Sequence, residues 1–225
     1  IVSDYNKGFL TDDVLVEIGQ LSKLSIIDSK RNLTDSVVES YTFIKLNEEE
    51  FSVNKKLSEK YLNKISEGSF KNNNKDIKIE IHTNGGARNV EFWGNLGKLS
   101  SKSNDNILVI FSVDGFEDTN HIYRRNVKWE KLVENITTYT KNGGYAIWEF
   151  LLFGHNENEI YLAKYKSKEY GFRSIRFKRA AGFEDYLNNR TIPMGVYDKE
   201  GLLEYLIEPS EDYPNSTMVY EGNLK

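Results

Sequence analysis

Two short apolar runs, each closing on glycine and small polar residues and each followed by a helical pattern, constrain this chain more than any other feature. The first ends at Thr83-Asn84-Gly85-Gly86 and leads to a helix from about Val90. The second, Ile107-Leu108-Val109-Ile110-Phe111, turns at Ser112-Val113-Asp114-Gly115, passes Tyr123-Arg124-Arg125 and meets an amphipathic helix opening near Trp129. Strand, turn and helix in repetition are the mark of β-α units, which build a parallel sheet. In such folds ligands gather at the carboxyl ends of the strands. Thr83, Asn84, Ser112 and Asp114 are therefore candidate binding residues.

The same pattern starts earlier in the chain. A strand end at Ser3-Asp4-Tyr5, a polar turn with Gly8, and Thr11 as N-cap before Asp12 and Asp13 predict a helix with Val14, Leu15, Ile18 and Leu21 on its apolar side. A strand over 24–27 closes on Asp28-Ser29-Lys30, and one over 41–46 closes on Asn47-Glu48-Glu49-Glu50. Residues 54–62 read as a solvated helix. Residues 66–76, with Gly68 and Asn72-Asn73-Asn74, read as a polar loop and the one internal boundary. Because Ile1 already sits in a strand pattern, the sequence is expected to be the interior of something longer or a damaged copy of it.

Composition excludes several chemistries. With 225 residues, 39% hydrophobic and 13% aromatic, the chain can bury one sizeable core or two small ones. A formal net charge of -4 gives no electrostatic reason to expect nucleic acid or an anionic membrane as partner, and a small-molecule ligand is the expectation. No apolar run approaches the roughly 20 residues that span a bilayer, so a soluble cytoplasmic protein is expected. The chain has 0 cysteines, which removes disulfides, thiolate nucleophiles and cysteine-ligated zinc or iron-sulfur clusters.

Two resemblances follow from the motifs. Ser3-Asp4-Tyr5-x-Lys7-Gly8, Asp28-Ser29-Lys30 and Phe43-Ile44-Lys45-x-Asn47-x-x-Glu50 resemble consecutive strand ends of the ribokinase-like (PfkB) sugar kinases, of the heptose-phosphate kinase type. That resemblance implies an ATP-dependent sugar or sugar-phosphate kinase segment over residues 1–70. In it Asn47 and Glu50 would organise magnesium and phosphate, and Lys7 and Lys30 would lie near the nucleotide. A carboxylate and an amide suit a hard hydrated cation, and lysine offers a point charge to phosphate. The family's Gly-Ala-Gly-Asp segment has no counterpart downstream.

Beyond the boundary, Ile79-Glu80-Ile81-His82-Thr83-Asn84-Gly85-Gly86, Phe111-Ser112-Val113-Asp114-Gly115 with Asp118-Thr119-Asn120-His121-x-Tyr123-Arg124-Arg125, Trp129-Glu130-Lys131, and Trp148-Glu149-Phe150 leading to His155-Asn156-Glu157 are similar to the later strands of a radical S-adenosylmethionine domain. This implies, over 77–225, a partial α/β barrel whose strand ends bind S-adenosylmethionine. Thr83 and Asn84 would lie beside the cofactor, Ser112 and Asp114 would contact its ribose or amino-acid part, and Arg124 would pair with its carboxylate, a role suited to a planar guanidinium. The family's Cys-x-x-x-Cys-x-x-Cys loop and Gly-Gly-Glu-Pro type segment are missing. Without thiolates the chain cannot hold the iron-sulfur cluster.

Weaker constellations take structural readings. His82, His121 and His155 lack a regular ligand spacing and read as hydrogen-bonding histidines, with no metal expected. Glu157 and Glu159 read as a helix cap, and Tyr161, Tyr165 and Tyr170 as packing against the sheet. Ser112 lacks a Gly-x-Ser-x-Gly elbow, and Gly85-Gly86 lacks the lysine of a phosphate loop. Pro209 and Pro214 bracket a polar tail expected on the surface. The sequence thus predicts an α/β chain of parallel-sheet β-α units: a ribokinase-like segment, then a partial radical S-adenosylmethionine-type barrel. Binding of that cofactor, an ATP-dependent kinase and a non-catalytic remnant or scaffold are the three functional expectations.

Overall fold

The computed structural model describes residues 2–4, 10–21, 24–47, 50, 54, 56–57, 60–61, 78–185, 190–211 and 218–221. Lys7, four of the nine residues of the predicted helix over 54–62 and the predicted loop over 66–76 lie outside them. The chain is α/β and mostly parallel. The principal strands are β1 (Val2–Asp4), β2 (Ile26–Ser29), β3 (Phe43–Asn47), β4 (Lys78–Thr83), β5 (Ile107–Ser112), β6 (Tyr145–Leu152) and β7 (Ser174–Arg179). Short strands β8 (Glu184–Asp185) and β9 (Arg190–Thr191) form a two-stranded pair. Strands β10 (Met194–Tyr197) and β11 (Leu203–Ile207) form an antiparallel hairpin, and β12 (Met218–Glu221) pairs antiparallel with β7. The eight-stranded sheet has the order β1-β2-β3-β4-β5-β6-β7-β12. Consecutive strands from β1 to β7 thus neighbour one another, as repeated β-α units produce. The architecture is one of parallel β-α units.

The helices are α1 (Asp12–Gln20), α2 (Asp35–Ser40), α3 (Val90–Ser101), α4 (Asn120–Tyr123), α5 (Trp129–Lys141) and α6 (Ile160–Glu169). As the sequence predicts, Thr11 caps α1, its side chain accepting from the Val14 N–H. Asn89 does the same for α3 through the Phe92 N–H at 3.0 Å.

Two compact units divide the chain, one comprising Ile1–Thr83, Asn89–Ile110 and Thr138–Ala146, the other Asn84–Arg88, Phe111–Thr137 and Ile147–Lys225. In the first, β2, β3 and β4 alternate. Ile27, Ile44, Leu46, Ile79 and Ile81 are buried, while Asp28, Lys45, Glu80 and His82 point the other way and are half-buried. Val38 of α2 and Ile44, Leu46 and Ile79 share a void of about 20 Å³, which places the helix on the apolar side. On the opposite side the register sets Asp28 against Lys45 and Lys45 against Glu80. Lys45 Nζ lies 3.0 Å from Asp28, and His82 Nε2 lies 2.5 Å from Glu80.

The second unit repeats this division. Trp148, Phe150, Leu152, Ile175 and Phe177 are buried, and Trp148 packs against Phe150, Tyr170 and Phe172 with centroids 5.3–6.2 Å apart. Glu149, Arg176 and Lys178 occupy the other face, where Glu149 and Lys178 form an ion pair. A second apolar cluster, Phe153, Ala180, Phe183 and Ile207, receives the β10–β11 hairpin through Met194, Val196 and Tyr205. The sequence reading of the helix tyrosines changes here. Tyr161 and Tyr165 are 82% and 67% exposed, and of the three only Tyr170 packs inward, on Trp148. Their spacing follows the solvent side of α6, whose buried positions are the small residues Ala163 and Ser167.

Within the first unit, α3 meets the end of α5 at Gly97. A Cβ built there would lie 2.5 Å from the Tyr139 carbonyl oxygen, whereas one at Gly94 would sit 3.5 Å from Thr138. Gly97→Ala is expected to lower stability by about 1–3 kcal/mol through overpacking. Gly94→Ala should raise it by up to about 1 kcal/mol through helix propensity. Urea unfolding of the two variants, read as shifts of opposite sign, checks this contact.

Candidate functional site

Asp114, at the turn after β5, is completely enclosed by the second unit at the centre of a polar network. Its side chain is 0% exposed. Oδ1 accepts the Leu151 N–H at 2.7 Å and Oδ2 accepts Arg124 Nε at 2.5 Å. The backbone is held as firmly: its N–H donates to Asn120 Oδ1 and its carbonyl accepts from Asn156 Nδ2, both at 2.9 Å. Asn156 also donates to the Leu151 carbonyl at 3.0 Å and accepts the Phe153 N–H at 2.8 Å. A buried carboxylate is tolerated only when its oxygens are satisfied in this way.

The turn itself depends on Gly115. Its φ of 141° lies where a side chain is strained, and a Cβ there would collide with Thr119 Oγ1. That hydroxyl accepts the Phe116 N–H and donates to the Glu159 carboxylate, 2.9 Å from each oxygen. Burial raises the Glu159 pKa, opposed by the Thr119 bond. Contrary to the sequence expectation, the Glu157 and Glu159 side chains do not cap the helix. No side chain caps α6, and Glu157 instead accepts from Ser210 Oγ at 2.6 Å and the Glu211 N–H at 3.0 Å.

Burial pushes the Asp114 pKa up from 3.8 to about 6, against the lowering effects of the Arg124 charge and the Leu151 N–H; the Glu149 charge adds to the rise. Arg124 meets Asp114 only through Nε. Both terminal guanidinium nitrogens lack hydrogen-bond and ion-pair partners among the described residues, and the group lies over the Tyr123 ring at 5.1 Å. The Ser112 hydroxyl, half-buried at the end of β5, likewise has no protein hydrogen bond among them. Asn84 is exposed, with its amide oxygen accepting the Gly86 N–H at 3.0 Å in an Asx turn. Asn84, Ser112, Asp114 and Arg124 all belong to the second unit; Thr83, buried, closes β4 in the first.

The kinase-type positions fall in the first unit. Asn47 and Glu50 form a reciprocal cap: the Asn47 N–H donates to Glu50 Oε2 at 2.9 Å and the Glu50 N–H to Asn47 Oδ1 at 2.8 Å. Lys30, exposed, directly follows β2. Among the described residues no group of three or more His, Asp or Glu is placed to hold a metal ion, and no helix is long and apolar enough to cross a membrane.

Sequence reasoning missed a cleft of about 830 Å³ in the second unit. His121 and His155 line it together with Glu157 and the segment from Tyr205 to Pro209. His155 does not satisfy itself by hydrogen bonding as expected. Its ring stacks on Phe153 at 5.3 Å, and Nε2 is buried without a partner. Burial, and to a lesser degree His121, lowers its pKa. The available signal was sequence adjacency: each histidine neighbours an asparagine, Asn120 or Asn156, that clamps Asp114.

Asp114 gives a titration that can be tested. Its folded pKa exceeds the unfolded value, so its contribution to stability is full below about 3.8 and is lost as pH rises through about 6. Relative to Asp114→Asn, the wild type is expected to lose about 3 kcal/mol between those limits and nothing above them. Denaturant unfolding of both proteins across that range measures the difference.

No family model matches this chain, and the comparison with curated proteins finds no match.

Proposed function

We propose that the chain binds S-adenosylmethionine, or a ligand with the same amino-acid end, at the carboxyl ends of its parallel strands, as a soluble cytoplasmic protein. One observation supports this above the rest: Asp114 holds Arg124 by Nε and leaves the two terminal guanidinium nitrogens for a ligand carboxylate. A fork fixed in advance loses little side-chain entropy on binding and meets a carboxylate in a bidentate pair. In this reading Ser112 offers a free hydroxyl to the same ligand, and Asn84, of the same unit, flanks it. Asp114, enclosed and fully hydrogen-bonded, positions Arg124 rather than touching the ligand.

The donor set does not fit an iron-sulfur cluster. With 0 cysteines, no residue of this chain supplies the thiolates, and no radical step is derived from it. The function supported is binding without cofactor cleavage. The mutual cap of Asn47 and Glu50 engages both side chains with backbone, so no magnesium or ATP chemistry is assigned to them.

Calorimetry of the whole chain with S-adenosylmethionine tests the reading. Saturable binding is expected, weakened by about tenfold or more in Arg124→Gln, the loss of a charged hydrogen-bonded pair. Asp114→Asn, folded, should weaken it less, because the fork is released and not removed. Absence of binding by the wild type, or equal binding by Arg124→Gln, overturns the proposal. Anaerobic iron and sulfide reconstitution is expected to give no cluster absorbance.

A further inference from the structure

We propose that the cleft beneath the β10–β11 hairpin is a second binding site, one for a small organic cation: an ammonium group carried on an apolar body. Its volume of about 830 Å³ falls within the range of small-ligand pockets, which are largely apolar with a few convergent polar groups. Ile122, Leu206, Ile207 and Pro209 give it an apolar surface, and Tyr205 fixes one wall by donating its hydroxyl to the Ile122 carbonyl at 2.7 Å. The opposite wall is pinned where the Gly154 N–H meets the Glu208 carbonyl at 2.9 Å and Phe153 bridges Pro209. A built cavity, not a gap between loose loops, is the result.

The sign of the ligand follows from the charges. Glu157, Glu208 and Glu211 line the cleft; among the described residues no lysine or arginine does, and none of the three forms an ion pair. Arg125, which meets the hairpin, is committed to Glu204 at 2.8 Å and to the Tyr197 carbonyl. Because its environment disfavours the imidazolium, His155 does not offset these carboxylates. An anion would meet three uncompensated charges, whereas a cation on an apolar body meets both its needs. A bare divalent ion is a poorer match, since no three ligating side chains among the described residues converge. His155 Nε2, buried without a partner, is the polar atom that a ligand-induced adjustment would satisfy.

The test uses the whole chain and a matched pair of probes, phenethylamine and its acidic isostere 3-phenylpropionate. Titration is followed by the imidazole C–H resonances of His121 and His155. Phenethylamine is expected to shift both resonances saturably, and 3-phenylpropionate at the same concentration to shift neither. In the Glu208→Gln, Glu211→Gln double variant, whose altered side chains are exposed and make no bond within the described chain, the amine should bind at least about fivefold more weakly, the effect of one charge pair near 4 Å in water. No saturable shift with the amine, comparable binding of the acid, or unchanged affinity in the double variant overturns the proposal. Arg124 lies outside the cleft lining, so S-adenosylmethionine binding measured on the same samples succeeds or fails separately.

Discussion

The second unit depends on a single enclosed charge. An ionised carboxylate removed from water is costly by several kcal/mol unless its oxygens are paired and hydrogen-bonded, and at Asp114 every polar atom is accounted for. The partners come from two segments: Leu151 and Asn156 from β6 and the turn after it, Asn120 and Arg124 from α4 and its C-cap. Each bond therefore fixes a segment as well as satisfying an atom. Removing one partner would leave a buried group without its bond, which is why such networks are sharply defined when complete and costly when broken.

The sheet carries the other constraint. Strands of a parallel sheet covered on both sides read as continuous apolar runs, yet β4 and β7 alternate between buried and half-buried, largely charged residues, and β2, β3 and β6 hold Asp28, Lys45 and Glu149 at half-buried positions. The charged side is arranged and not merely tolerated. In the first unit Asp28, Lys45 and Glu80 occupy consecutive register positions with alternating sign, and in the second Glu149 pairs with Lys178. Cross-strand pairs of opposite sign contribute modestly to stability. They also keep a polar face beside the strand ends, where a polar ligand encounters groups that already tolerate partial solvation.

The sequence disclosed the parallel β-α architecture because strand ends and helix starts are written locally, in turn residues such as Gly85 and Gly115 and in the cap Thr11. It also picked out Ser112, Asp114 and Arg124 as residues of interest, since small polar residues after an apolar strand mark a loop at its carboxyl end. What it did not disclose is which of them is enclosed. Asp114 reads the same in sequence whether it faces a ligand or a buried arginine, and only the tertiary placement of Leu151 and Asn156 separates the cases. Tyr161 and Tyr165 misled for the same reason: helical spacing gives a common face but not which way that face looks, and the small residues Ala163 and Ser167 turned out to be the buried ones. The cleft was invisible because the hairpin that walls it is brought back to the end of β6 from some fifty residues downstream.

The two proposed sites share one frame without sharing a ligand surface. The carboxylate of Asp114 orients Arg124, while its peptide groups are held by Asn120 and Asn156, whose immediate neighbours His121 and His155 line the cleft. Coupling between sites requires an element with two arrangements that each ligand biases differently. A network with every bond made and its central residue fully enclosed offers one arrangement only. The frame therefore sets the geometry of both sites while carrying no message between them, and occupancy of one is expected to leave affinity at the other unchanged.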